Sequence, residues 1–231
     1  MTNRQADVSR QRLRGSLPAP VVGVLCLGCA TTKPLSPEQQ QAIKQADAQR
    51  DIGMDHLSSG RTAMAIRTLQ QAHSLNPKDG VTLLWLGEAF RRKGMLDKAE
   101  EHMLRALELA EGTSDFNYQE TSLNLSGLYI QMKKFEQAWL LSQKLIADPT
   151  FDSPWRALTN RGWAEFQMAR YADARTSFGE ALEFFPAYWP AHLNLGILEQ
   201  KEGHALPAIQ SFERALATER MSYDAAAEAN Y

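Results

Sequence analysis

From residue 46 onward, apolar and small residues recur at spacings of three and four, the period of a helix with one buried face. A longer period lies over the first. Ala65, Ala99, Ala138, Ala174 and Ala208 are separated by 34, 39, 36 and 34 residues. Four of them are followed, four and seven residues on, by one kind of face: Leu69 and Ala72, Met103 and Ala106, Phe178 and Ala181, Phe212 and Ala215. Twelve residues before the five markers stand Gly53, Gly87, Ser126, Gly162 and Gly196, small enough to let two helices approach closely.

Punctuation agrees with this period. Gly60, Gly94 and Gly203 fall where a turn must separate two helices, and Pro77 and Pro186 fall just after a helix end, where a missing amide stops further helix. Five helix pairs are therefore expected, near residues 46–79, 80–113, 119–152, 155–188 and 189–222, within a single domain spanning 36–231. Ser36-Pro37-Glu38-Gln39 combines a capping hydroxyl, a first-turn proline and a back-reaching glutamine, so the first helix should begin there. Tyr223 to Tyr231 reads as the start of a sixth pair, a partial C-terminal cap.

Together these residues resemble the tetratricopeptide family over residues 46–222. The resemblance implies an all-α fold, a superhelical solenoid of antiparallel helix pairs. Unit four departs from the family pattern with Arg161 and Glu165 at usually apolar places; four residues apart on a helix, they are placed to pair. Unit three departs with Leu145 at a usually small place and with Pro149 a residue early.

In such a stack the first helix of each pair lines the inner, concave wall. Spacing assigns to its exposed positions Met54 and Leu57, Leu84 and Arg91, Leu123 and Ile130, Trp163 and Phe166, and Leu193 and Ile197. So many large apolar side chains exceed what a monomer usually leaves exposed, and the wall is expected to bury a helix or strand from a partner. Cover by a neighbouring hairpin or by the N-terminal helix is the competing explanation for any one of them. The carboxylate clamp of some cytosolic co-chaperones does not fit: Arg50 could serve, but Met54, Trp85 and Glu120 occupy places where it needs polar or basic groups.

Composition narrows the function further. At 231 residues, 44% apolar and 23% charged, the chain has the make-up of a folded protein, and 25 Lys plus Arg against 27 Asp plus Glu give no basic footprint for nucleic acid. His56, His73, His102, His192 and His204 are scattered over different units, with no H-E-x-x-H pair and no phosphate-cradling glycine loop. Neither catalytic residues, nor a metal, nor a cofactor, nor a small-molecule substrate is expected, and the protein is not read as an enzyme.

The N-terminus has a character of its own. Arg4, Arg10, Arg12 and Arg14 against Asp7 precede the apolar run Val21-Val22-Gly23-Val24-Leu25-Cys26-Leu27-Gly28, which ends at Cys29, the order of a secretory signal. Both cysteines lie here, and no second ligand pair supports a redox or zinc reading of their spacing. The segment resembles a bacterial lipobox, which would make residues 1–28 a removed lipoprotein signal peptide, Cys29 the lipid attachment site and residues 29–35 a lipidated tether. Cys26 stands where such sites usually have leucine, so an ordinary cleaved signal and a plain apolar terminus stay open. Ala30 after the cysteine is not the aspartate of inner-membrane retention, so the resemblance implies the periplasmic face of an outer membrane, with its lipid held through the anchor.

A last resemblance is narrower. Asp148-Pro149 followed by Phe151, then Pro154, then Ala157-Leu158, Asn160 and Gly162, is similar to the corresponding stretch of the type IV pilus pilotin lipoproteins, the PilF/PilW/Tgl group. That family implies an adaptor that helps a secretin subunit of the pilus machine reach the outer membrane and assemble into its multimer. The alternative is an envelope repeat scaffold for another machine, such as polysaccharide export or cell-wall synthesis.

Overall fold

The structure is a computed structural model that describes residues 35–110 and 116–228. The expected signal peptide (1–28), the expected attachment site Cys29 and the expected tether up to residue 34 lie outside the described residues. Among the described residues, ten helices form five antiparallel pairs: α1 (Pro37–Ser58) with α2 (Thr62–Leu75), α3 (Gly80–Arg92) with α4 (Leu96–Leu109), α5 (Phe116–Gln131) with α6 (Phe135–Ile146), α7 (Pro154–Gln167) with α8 (Tyr171–Phe184), and α9 (Trp189–Lys201) with α10 (Ala205–Glu228). Each hairpin packs on the next, the arrangement of an all-α tetratricopeptide solenoid.

Capping starts the first helix where the sequence places it. Ser36 Oγ accepts from the Gln39 amide at 3.2 Å, and the Gln39 side chain accepts from the Ser36 amide at 2.9 Å, satisfying two of the donors that a helix start leaves open. The far end differs from the sequence reading. The residues expected to begin a cap continue α10 to Glu228 without a break, because nothing in Met221-Ser222-Tyr223-Asp224-Ala225 stops a helix.

Within a hairpin, the small residue and the large one interlock. A Cβ on Gly53, Gly87, Gly162 or Gly196 would meet Leu69, Met103, Phe178 or Phe212 at 2.6–2.7 Å, too close for any carbon pair. In unit three both partners change together: Ser126 replaces the glycine, and Ser142 replaces the large residue of the second helix, both fully buried. All five marker alanines are buried beside these contacts. The turn seven residues after each small position takes a left-handed residue throughout, Gly60, Gly94 and Gly203 in three units and Lys133 (φ 60°) and Ala169 (φ 59°) in the others.

Between hairpins, the residue eight positions after the marker carries the contact. Leu107 packs into the core shared by α1 to α5, and Ile146 and Leu182 pack against Leu158, Ala181 and Ala191. Leu216, the same position in α10, is 66% exposed, and Ile209 on the same side is 52% exposed. Among the described residues, the last hairpin therefore presents a helix-packing face with no further hairpin against it.

Candidate functional site

The first helices α3, α5 and α7 align side by side and leave two adjoining clefts on their shared face. The first, about 360 Å³, is lined by Val81, Leu84 and Trp85 of α3, Phe151 of the α6–α7 connection, and Gln119, Glu120 and Arg156. The second, about 210 Å³, is lined by Arg91, Asn124, Arg156, Asn160 and Tyr188, with Leu123 at its base. Arg156 belongs to both.

This wall is more polar than its sequence suggested. Leu57 is a core residue, 2% exposed, packed in the cluster that holds Leu69 and Leu86, and it does not belong to an exposed groove. Leu84 and Leu123 are also buried, at 5% and 4%: Leu84 joins the same cluster, and Leu123 packs with Leu145 and Ala157 of the neighbouring helices. Each of these two shows a cleft only an edge. A first helix in this stack has neighbours on two sides, and spacing within one repeat does not reveal which leucine the second neighbour covers. Met54, Ile130, Trp163, Phe166 and Ile197 are half-buried, and Leu193 is exposed. Trp163 and Phe166 stack with centroids 5.2 Å apart and pack against Ala174, Phe178 and Leu198, away from both clefts. Of the ten side chains, only Leu84, Arg91 and Leu123 line these two clefts.

Polar side chains take the place of the missing leucines. Arg156 donates to Glu120 at 3.1 and 3.4 Å, joining α7 to α5. Arg91 donates to Glu88 at 2.6 and 2.8 Å and to Gln131 at 3.4 Å. Asn124 donates to the Glu120 carbonyl at 2.8 Å and carboxylate at 2.9 Å, and Asn160 donates to Ser126 Oγ at 2.7 Å. A signal for the asparagines was present in the sequence: Asn124, Asn160 and Asn194 each stand two residues before the small position of successive units. Phe151 is placed by its connection, where Gln119 donates to Asp148 at 3.0 Å and to Thr150 at 2.9 Å.

Charge states follow from these contacts. Burial alone would raise the Glu88 carboxyl, but hydrogen bonds from Arg91 and Arg92 outweigh it and hold Glu88 below its ordinary range. The Thr150 hydroxyl and the Gln119 amide do the same for Asp148. Burial raises the Tyr188 phenol, with the Arg156 charge pulling the other way. No nucleophile–base pair stands among these groups.

One trio of potential metal donors occurs among the described residues, Glu199, Glu202 and His204. Arg175 pairs with both carboxylates and His204 Nδ1 lies 2.8 Å from Glu199, so arginine already supplies the positive charge there.

Similarity to other proteins follows the repeats. Residues 50–114 match the tetratricopeptide repeat family. Tetratricopeptide repeat protein 16 of Macaca fascicularis is 25% identical over 227 residues, 93% of this chain, which spans only 26% of that protein's length. The type IV pilus assembly protein PilF of Pseudomonas aeruginosa is 24% identical over 188 residues, 80% of this chain and 73% of PilF. The solved PilF structure superposes with a TM-score of 0.65 at 22% identity, covering 78% of each chain. PilW, described as a widely conserved type IV pilus biogenesis factor, superposes with a TM-score of 0.68 at 19% identity over 76% of this chain and 78% of PilW. With a repeat-family match over residues 50–114, five stacked hairpins and these superpositions, the chain has the tetratricopeptide-repeat solenoid fold and is similar to the pilus biogenesis proteins PilF and PilW.

Proposed function

We propose that this protein is a lipid-anchored adaptor of the pilotin kind, which promotes outer-membrane targeting and multimer assembly of a type IV pilus secretin. The observation that carries this reading is the similarity to PilF over four fifths of the chain, in sequence and in the stacking of its hairpins. The apolar N-terminal segment ending at Cys29 supports it, since a diacylglycerol on that thiol would hold the stack at the periplasmic face of the membrane. In this mechanism no bond is made or broken. The anchor fixes the adaptor at the membrane, the inner face of the stack holds a secretin segment, and the local concentration of subunits rises where they must assemble.

Deleting the protein and following the secretin on a gel tests the proposal. Loss of the heat-resistant multimer, with monomer accumulating away from the outer membrane, is the expected result; an intact multimer with normal pili rejects it. Cys29→Ala is expected to leave the stack folded and release it from the membrane fraction.

A further inference from the structure

We infer that the two adjoining clefts on α3, α5 and α7 form one peptide-binding site. Its ligand is an extended segment carrying a large apolar side chain followed about three residues later by an aspartate or glutamate. The inference deepens the adaptor reading, on which it rests only in taking the ligand to be a protein segment.

Three observations carry it. The first cleft has one apolar wall, Val81, Trp85 and Phe151, on rigid helices and a pinned connection, with Asp152 and Ser153 on its polar rim, and its 360 Å³ is at the lower end of the roughly 300–1,000 Å³ of ligand sites. One large side chain and its flanking backbone suit that size.

The second observation is the sign of the charge that faces outward. In both ion pairs of the wall the acid is the more deeply buried partner: the Glu88 side chain is 6% exposed beneath Arg91 at 35%, and Glu120 is 18% exposed beneath Arg156 at 38%. The Arg156 pair is neutral as a whole and Glu88 also pairs with Arg92, and in each the guanidinium side meets the solvent. A planar fork of donors on the open side of a cleft selects carboxylate over ammonium.

Spacing is the third. The clefts share Arg156 and are offset along the helices, with Gln119 and Glu120 of α5 in the first and Leu123, Asn124 and Gly127 in the second, a step of roughly 9 Å at the rise of a helix. At about 3.3 Å per residue, an extended chain covers that step in three residues. Asn124 and Asn160 lie along the second cleft, and with their NH2 groups donating within the wall their carboxamide oxygens can accept from the backbone N–H groups of a segment running across them.

Selection of a randomised twelve-residue peptide library, displayed on phage, against the purified full-length chain tests the site without any assumption about the client. The expected result is enrichment of peptides with Phe, Leu, Trp or Met followed within four residues by Asp or Glu. A labelled peptide from that pool should lose at least tenfold in affinity to Arg156→Glu and to Val81→Asp, keep it with Phe184→Ser, whose exposed side chain lines neither cleft, and weaken as salt rises. Circular dichroism melts identify any variant that unfolds, and Arg91→Gln then serves as the second charge variant. Enrichment without acids, enrichment of basic peptides, no enrichment, or affinity indifferent to Arg156 and Arg91 would each overturn the site. The secretin multimer is a separate readout: if peptides bind as stated and the multimer survives deletion, the site stands and the pilotin reading falls.

Discussion

The indole of Trp139 donates to Glu165 at 2.9 Å, fastening α6 to the middle of α7 across the seam between the third and fourth hairpins. The carboxylate is almost fully buried and is completed by Ser177 Oγ at 2.5 Å and by Arg161 at 3.7 Å, while Arg161 also donates to Ser177 at 3.0 Å and to Glu180 at 2.6 Å. A buried acid with this many partners is costly to remove, since Arg161, the indole and the hydroxyl lose their acceptor together. Glu165→Ala should lower unfolding stability by about 3 kcal/mol. Urea melts of Glu165→Ala, Trp139→Phe and the double variant measure it. Additive losses would mean that the indole and the carboxylate are not coupled.

How much of this was legible in the chain depended on where each partner lay. Arg161 and Glu165 are four residues apart, so their pairing could be read from the sequence; Trp139 is 26 residues from Glu165, and only the superhelical stacking brings it there. The repeat period was legible for a similar reason, because small-to-large interlocks such as Gly162 with Phe178 act within one hairpin. The inner wall was not. Leu57, Leu84 and Leu123 share a register with exposed positions, and their burial is completed by the next hairpin, whose twist no single repeat encodes, as Ala157 completes it for Leu123. Leu123→Ala therefore should behave as a core truncation costing about 2–5 kcal/mol. A loss below 1 kcal/mol in a thermal melt would return it to the groove.

Lys133 and Ala169 stand at the turn where three other units have glycine, and both are held at φ near 60°. An L side chain there costs roughly 1–2 kcal/mol, part of which glycine returns through a more flexible unfolded chain. Ala169→Gly and Lys133→Gly should each stabilise by about 0.5–1 kcal/mol. Because the two turns belong to different hairpins, the gains should add. A lowered melting temperature for Ala169→Gly would show that the methyl group makes a contact worth more than the backbone strain.

His102 and Glu88 give stability a dependence on pH in separate windows, and Asp148 adds to the acid one. His102 stacks on Phe90 with centroids 5.3 Å apart, and burial lowers it from its ordinary 6.5, with Glu101 opposing and His73 and Lys98 assisting. The unfolded chain then binds the proton more readily, so the contribution is full above about 6.5 and declines as pH falls through the folded value. Glu88 lies below its ordinary 4.5, so its contribution is full above that value and is lost at more acid pH, as the folded carboxyl protonates. Urea unfolding at pH 7.5, 5.5 and 3.5 separates the two: His102→Phe should reduce the fall between the first pair and Glu88→Gln the fall between the second. Unchanged slopes would assign the pH dependence to other groups.

The open face of α10 makes the last prediction a comparison of equivalent leucines. Leu182 and Leu216 occupy the same position in consecutive second helices, but Leu182 packs against Leu158 and Ala191 whereas Leu216 is 66% exposed. If inter-hairpin packing is what stabilises the stack, Leu182→Lys should cost about 2 kcal/mol or more and Leu216→Lys less than about 0.5 kcal/mol. The lysine at 216 should also raise solubility, because it breaks an apolar stripe that includes Ile209. Equal, large losses at both positions would show that Leu216 is covered in solution. Hydrogen exchange along α10 would then locate the cover: protection that depends on protein concentration points to a second copy, and protection that does not points to the chain itself.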